Sequence, residues 1–285
     1  MKLYKYMRAL DDSICEQKNE CKEYSGAKIS KRLKKMLEGS RIYLSDPKDF
    51  NDPFDGYFSI RCGTEQDRQD MKAILEKKIE QFKIAEEKAK ELREGIFSQL
   101  PLENFRVACF SADGKNDLMW AHYADEHNGV CLVYEIDQLI AENGCALFVE
   151  RGDSSCSYGG DKVKFLFDKV IYSDNKLPLE ILDGKTTKEY NIANPMYTKS
   201  KIWAYEQEIR LVAMLPYGQA FGDNTYFCQI DKSCLKEIRF GLRLNREYRS
   251  EIQKIVQNAG YTDAAFKEAK INTTDFALKI EAYDE

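Results

Sequence analysis

The chain has 285 residues, 43% of them hydrophobic and 32% charged, with a net charge of −5. That is enough for one large domain or two small ones with a real core. It excludes a protein that binds nucleic acid through bulk positive charge, leaving only a local basic cleft open. Nine cysteines are scattered and odd in number, and no two show C-x-x-C spacing, so neither a zinc ribbon nor a redox dithiol is signalled. The opening Met1-Lys-Leu-Tyr-Lys-Tyr6 lacks the apolar run of a signal peptide, and no stretch approaches membrane-spanning length. The expectation is a reduced, cytoplasmic protein with no membrane partner.

In chain order, residues 3–7 alternate and read as a first strand, with Tyr4 and Tyr6 on one face and Lys5 on the other. Ile29, Leu33, Met36 and Leu37 fall on one helical face, and Gly39 stands where a left-handed residue would end that helix. A short strand ends at Ser45. The turn-rich 46–56 segment is expected to be an ordered loop anchored by Phe50 and Phe54. Apolar residues at steps of three or four from 64 to 99 predict a solvated helix or hairpin, inserted within a single 1–285 domain. Read as one helix it would reach about 50 Å.

Residues 105–111 and 130–135 read as buried strands. Between them lies a short helix through Met119-Trp-Ala-His-Tyr-Ala124, capped by Asn116-Asp117 and released at Gly129. Further strands are predicted at 146–150, 163–172, 208–214, 226–230, 237–240 and 276–282, and helices at 186–193, 197–204 and 246–258. Strands and helices do not alternate regularly, so an α+β fold with a mixed, mostly antiparallel sheet is favoured.

The densest cluster of chemistry is Trp203-Ala-Tyr-Glu-Gln-Glu-Ile-Arg210. As a strand it sets Glu206, Glu208 and Arg210 on one face, a costly row to bury unless the groups pair or meet a polar ligand. As a helix, Glu206 and Arg210 would be an ordinary surface ion pair; the β-rich Ile-Arg-Leu-Val run favours the strand. The two histidines, His122 and His127, are five apart and do not share a helix face, so no metal site is expected. His127 suits a helix end as a protonated group. His122 reads equally as a satisfied, half-buried side chain or as a hydrogen-bonding group in a cleft beside Trp120 and Tyr123. Asn51 to Asp55 is either a self-satisfied Asx turn or a ligand-positioning loop. No glycine-rich phosphate loop and no G-x-S-x-G elbow occurs.

Taken together, Leu3-Tyr-Lys-Tyr6, Phe50-Asn-Asp-Pro-Phe-Asp55, Cys109-Phe-Ser111, Met119-Trp-Ala-His-Tyr-Ala124, His127-Asn-Gly129 and Trp203–Arg210 resemble a bacterial and phage domain-of-unknown-function family. A weaker resemblance is to ADP-ribosyltransferases. These are built on a split, mostly antiparallel sheet with functional residues on an early strand, on a strand ending in Ser and on a late Glu-x-Glu strand. The matching positions are the Leu3–Tyr6 strand, Tyr43-Leu-Ser45 and Glu206-Gln-Glu208; the first departs from that family, since no Arg or His lies inside the strand, only Lys5, with Arg8 just beyond.

The resemblance implies NAD as cofactor and a protein or nucleic-acid acceptor, as in toxins and phage-defence effectors. Glu208 would stabilise the ribosyl cation and Glu206 would orient or deprotonate the acceptor. His122 would act in the cleft, while Tyr4, Tyr6, Ser45, Asn51, Trp120, Tyr123 and Arg210 would shape or bind. Two rival readings are a non-catalytic nucleotide or nucleic-acid sensor using the same cleft, and a metal-dependent nuclease using Asp52, Asp55, Glu206 and Glu208.

Overall fold

A computed structural model describes residues 1–11, 16–18, 21–23, 27–55, 60–62, 64–81, 83–95, 102, 105–136, 157–158, 161–162, 164–174, 179–181, 194–214 and 226–284. The strand expected at 146–150 and the helix expected at 186–193 lie outside these residues. The chain opens with β1 (Lys2–Met7), the ribbon β2 (Glu16–Lys18) and β3 (Cys21–Glu23), α1 (Lys31–Gly39) and β4 (Arg41–Leu44). Then come β5 (Ile60–Cys62), α2 (Glu65–Gln81), α3 (Glu86–Gly95), β6 (Phe105–Ser111), α4 (Asp117–Tyr123) and β7 (Val130–Glu135). Short β8 (Ser157–Tyr158) and β9 (Asp161–Lys162) precede β10 (Lys164–Lys169), β11 (Ile171–Ser173), β12 (Leu179–Ile181), β13 (Thr198–Ser200) and β14 (Glu208–Met214). The chain closes with β15 (Tyr226–Gln229), β16 (Leu235–Phe240), α5 (Arg246–Asn258), β17 (Ala265–Ile271) and β18 (Leu278–Ala282).

The fold is α+β. An eight-stranded sheet runs in the order β10-β14-β6-β1-β7-β16-β17-β18 and is antiparallel except for β16 and β17. That parallel pair is joined by the crossover helix α5, the connection parallel strands require. Alternation along β1 sends Leu3 and Met7 into the main core, which includes the buried faces of α1 and α5, and sends Tyr6 into a smaller cluster with Trp120 of α4 on the other face.

One break in this sheet creates the site. Strand β1 meets β6 at the single pair Tyr4↔Ser111, whereas β6 pairs with β14 along its whole length. Farther along the same edge of β6, Val107 bridges to Ser45 just beyond β4. Strands β1 and β4 therefore diverge from two points on one strand, leaving a wedge between them.

Several expectations need correction. Helix α1 starts after Ile29, which bridges Leu10 instead, and its left-handed residue is Ser40 (φ 48°) rather than Gly39. Ser40 is held there from afar: its hydroxyl donates to Ile230 O, and its carbonyl accepts from Ile230 N. Of the helix or hairpin expected from the 64–99 periodicity, the structure has the hairpin, α2 and α3, with Lys83 between them at a left-handed φ of 49°. Leu75, Ile79, Ile84 and Ala89 form that hairpin's own apolar cluster.

The helix expected at 197–204 is instead strand β13 between two 3-10 turns, since residues 198–200 pair with β11. Strand β17 was missed because Ala-Phe-Lys-Glu-Ala-Lys-Ile carries its charges on a half-exposed strand; Lys267 and Glu268 are satisfied by Glu237 and Arg249.

Candidate functional site

The 203–210 segment is not one strand. Residues Lys201–Glu206 form a 3-10 turn, Gln207 is left-handed (φ 44°), and β14 begins only at Glu208. The turn is fixed from outside: Ser111 Oγ donates to Glu206 O at 2.6 Å and Asn116 Nδ2 to Tyr205 O at 2.7 Å. The β propensity of Ile-Arg-Leu-Val therefore governs only the chain from Glu208 onward. Even so, Glu206, Glu208 and Arg210 all turn inward and are buried.

Arg210 is fully buried and uses its five N–H donors in five hydrogen bonds: Nε and Nη2 to Glu208, Nη1 and Nη2 to Asp55, and Nη1 to Met196 O, all at 2.6–2.9 Å. Lys199, delivered by β13, adds a second cation at 2.6 Å from Glu206, 3.4 Å from Glu208 and 3.7 Å from Asp55. Three carboxylates and two cations thus pair in one buried cluster, with one carboxylate in excess, the kind of pairing such a row requires.

Burial pushes the Glu208 carboxyl up, but the charges and hydrogen bonds of Arg210, with Lys199, outweigh it and hold the group at about 2. Burial also raises Glu206, and there Lys199 and Tyr123 offset it only in part, so Glu206 sits above the ordinary carboxylate value. Lys199 is desolvated, yet Glu208 and Glu206 raise it.

Helix α4 brings the remaining polar groups. Asn116 caps it through Leu118 N, and Tyr123 donates its hydroxyl hydrogen to Glu206 while accepting from Asn51 Nδ2 at 3.1 Å. His122 Nδ1 lies 2.8 Å from the Tyr205 hydroxyl. After the helix, Asp125, Glu126 and His127 are all left-handed, a costly run pinned by bonds back to Ala121 and Trp120 and by Arg243 N bonding to His127 O. Burial, then the charge of Arg243, lowers the His127 pKa, which works against the protonated helix end expected of it.

The wedge that β1 and β4 leave along β6 opens into a cavity of about 480 Å³, within the range of small-molecule sites. Of the ten residues expected at a site, nine line it: Tyr4, Tyr6, Ser45, Asn51, His122 and Tyr123, with Glu206, Glu208 and Arg210. Trp120 does not wall it. It is fully buried behind Tyr6, edge-on at 5.2 Å between centroids, because an indole on the inner face of α4 is drawn into the core.

Sequence reasoning missed Lys199 and Tyr205, noted Lys5 only as a departure on the early strand, and assigned Asp55 to a loop or metal role rather than to Arg210. Lys5 left a signal: it shares a face of β1 with two core residues, an odd place for an amine. Lys199 left none, since its strand forms only through pairing with β11. Among the described residues no group of three or more His, Cys, Asp or Glu side chains is arranged to hold a metal. The carboxylates of the nuclease reading, Asp55, Glu206 and Glu208, already share Lys199 and Arg210. Among the described residues no helix is long and apolar enough to cross a membrane.

Comparison with known families adds one match. Residues 119–211 fit the family model described as protein of unknown function DUF2971. Over these residues the expected resemblance to a domain-of-unknown-function family is borne out. The DUF2971 segment runs from α4 into β14 and contains His122, Tyr123, Lys199, Glu206, Glu208 and Arg210, whereas the β1 and β4 walls lie before it. No curated protein and no solved structure matches the chain.

Proposed function

We propose that the cavity is a dinucleotide site and that the protein is an ADP-ribosyltransferase-like enzyme acting on a macromolecular acceptor, with Glu206 as its reactive carboxylate. One observation carries this reading. Three stretches far apart in sequence, Tyr4 and Tyr6 on β1, Ser45 after β4, and Glu206 with Glu208 ahead of β14, line the same wedge. Their order and kind follow the resemblance drawn from the sequence.

The cavity's size and its tyrosines suit a flat base and a ribose. Bound NAD would supply an ADP-ribosyl group, its nicotinamide–ribose bond breaking with the electron pair leaving on nicotinamide. Glu206 is the group best matched to taking the acceptor's proton: its raised pKa makes it the stronger base, and Lys199 and Tyr123 fix its oxygens. Glu208 is better suited to positioning. Both its oxygens are engaged by Arg210, one of them also by Lys199, so it anchors the cations that hold Glu206.

The test is nicotinamide release from NAD by the purified protein. Release should fall at least about 100-fold in Glu206→Gln while the circular dichroism spectrum stays unchanged. An unchanged rate in that folded variant removes Glu206 from the reactive role. The sealing of Glu208 favours a second reading, a non-catalytic nucleotide-binding module. NAD would then raise the melting temperature without any release of nicotinamide.

A further inference from the structure

We propose that Lys5 and Arg32 form an anion subsite at the β1–β4 end of the cavity, which takes a phosphate or pyrophosphate group. Assigning that group to a nucleotide rests on the proposed function; the anion site itself rests on geometry.

Lys5 is only 9% exposed, yet it lines the cavity. Its ammonium makes one hydrogen bond, to Cys109 O at 3.1 Å across the wedge, and lies 5.3 Å from the Phe110 ring centroid. An ammonium has three donors, so two remain unused. Among the described residues Lys5 has no carboxylate partner, in contrast to Lys199 with its three. Arg32 lines the same cavity from the first turn of α1, its guanidinium 3.9 Å from the Tyr43 ring centroid, and among the described residues it too lacks an acidic partner.

Two like charges thus border one cavity, one of them desolvated, and an apolar side chain would fill the place of Lys5 without that cost. Burial, and next among the lowering causes the charge of Arg32, depress the Lys5 pKa; Cys109 and Glu208 oppose them. Among the described residues neither Glu208 nor Asp49 forms an ion pair with Lys5 or Arg32. Glu208 is held by Arg210 and Lys199, and Asp49 is an exposed residue on the turn after β4. An anion seated between Lys5 and Arg32 relieves the repulsion and satisfies the unused donors. A compact ammonium beside a planar guanidinium is a combination suited to phosphate oxygens.

Calorimetric titration with inorganic pyrophosphate, ADP-ribose and adenosine tests the subsite. Pyrophosphate and ADP-ribose should bind the wild-type protein, and Lys5→Met and Arg32→Gln should each weaken both by about tenfold or more, with adenosine unaffected. Equal affinity in both variants, or no pyrophosphate binding at millimolar concentration, overturns the proposal. Arg32 is exposed, so Arg32→Gln decides the matter even if Lys5→Met fails to fold. In the absence of ligand Lys5→Met should melt higher than wild type; a lower melting point with unchanged anion affinity marks Lys5 as structural and overturns its role. The two readings fail separately. Pyrophosphate binding without any NAD turnover removes the enzyme and leaves the subsite, whereas turnover with the same KM for NAD in Arg32→Gln removes the subsite and leaves the enzyme.

Discussion

Arg210 shows how one side chain organises the site. It ties Asp55, from a loop 155 residues away in sequence, to Glu208 on its own strand. Removing one partner of a buried pair strands the others, so Arg210→Met is expected to lose about 3–5 kcal/mol in urea denaturation. Arg210→Lys should be only partly better, since an ammonium cannot reproduce the two-sided fork. Glu208 gives the pH signature. Its folded pKa of about 2 lies below the ordinary 4.5, so its stabilisation is complete above pH 4.5 and is lost as pH falls from there to 2. That window is worth at most about 3 kcal/mol, and acid titration of stability should show it flattened in Glu208→Gln. Glu206 has the opposite sign. Its raised pKa makes ionisation unfavourable in the folded state, so it adds nothing to acid lability.

At the scale of elements, short and irregular pieces aim the side chains. The seven residues of α4 would not hold as an isolated helix; the Asn116 cap, the Trp120 anchor and the left-handed return at 125–127 fix it. Gly129 completes that return. A Cβ there would fall 2.2 Å from Met7 O, a backbone atom of β1 that cannot step aside. Gly129→Ala is therefore expected to cost several kcal/mol, about the upper range for single substitutions, and to displace Tyr123 from Glu206. Thermal melting, with hydrogen exchange across β1 and β7, checks this, and a melting point within a degree of wild type would contradict it. The same scale explains the misreadings at 197–206. Propensity and periodicity describe a segment alone, while β13 and the 3-10 turn after it are set by β11, Ser111 and Asn116.

For the whole molecule, the decisive feature is the wedge, where one sheet loses contact between β1 and β6 after a single pair. A ligand seated there touches β1, β4, α4 and the head of β14 together, so its binding energy is shared across the fold. At a free concentration of 100 Kd it should add about 2.7 kcal/mol to unfolding, and slow amide exchange on both walls of the wedge. Exchange slowed on one wall alone would place the ligand elsewhere. Much of this was already legible in the chain: the α+β class, the strands at 3–7, 105–111 and 130–135, the capped helix with His122 and Tyr123, and nine of the residues that line the cavity. The class and the elements rest on local period, capping and turn chemistry, which neighbouring residues encode by themselves, whereas the cavity residues were named from the resemblance to ADP-ribosyltransferases. Tertiary structure alone decided that Trp120 is core, that Lys199 and Asp55 join the charged row, that Glu208 is sealed while Glu206 keeps a raised pKa, and that Lys5 opens on the cavity. Each of these depends on which remote strand or loop arrives beside the residue. Burial and charge balance are properties of that assembled neighbourhood, and no stretch of sequence contains them on its own.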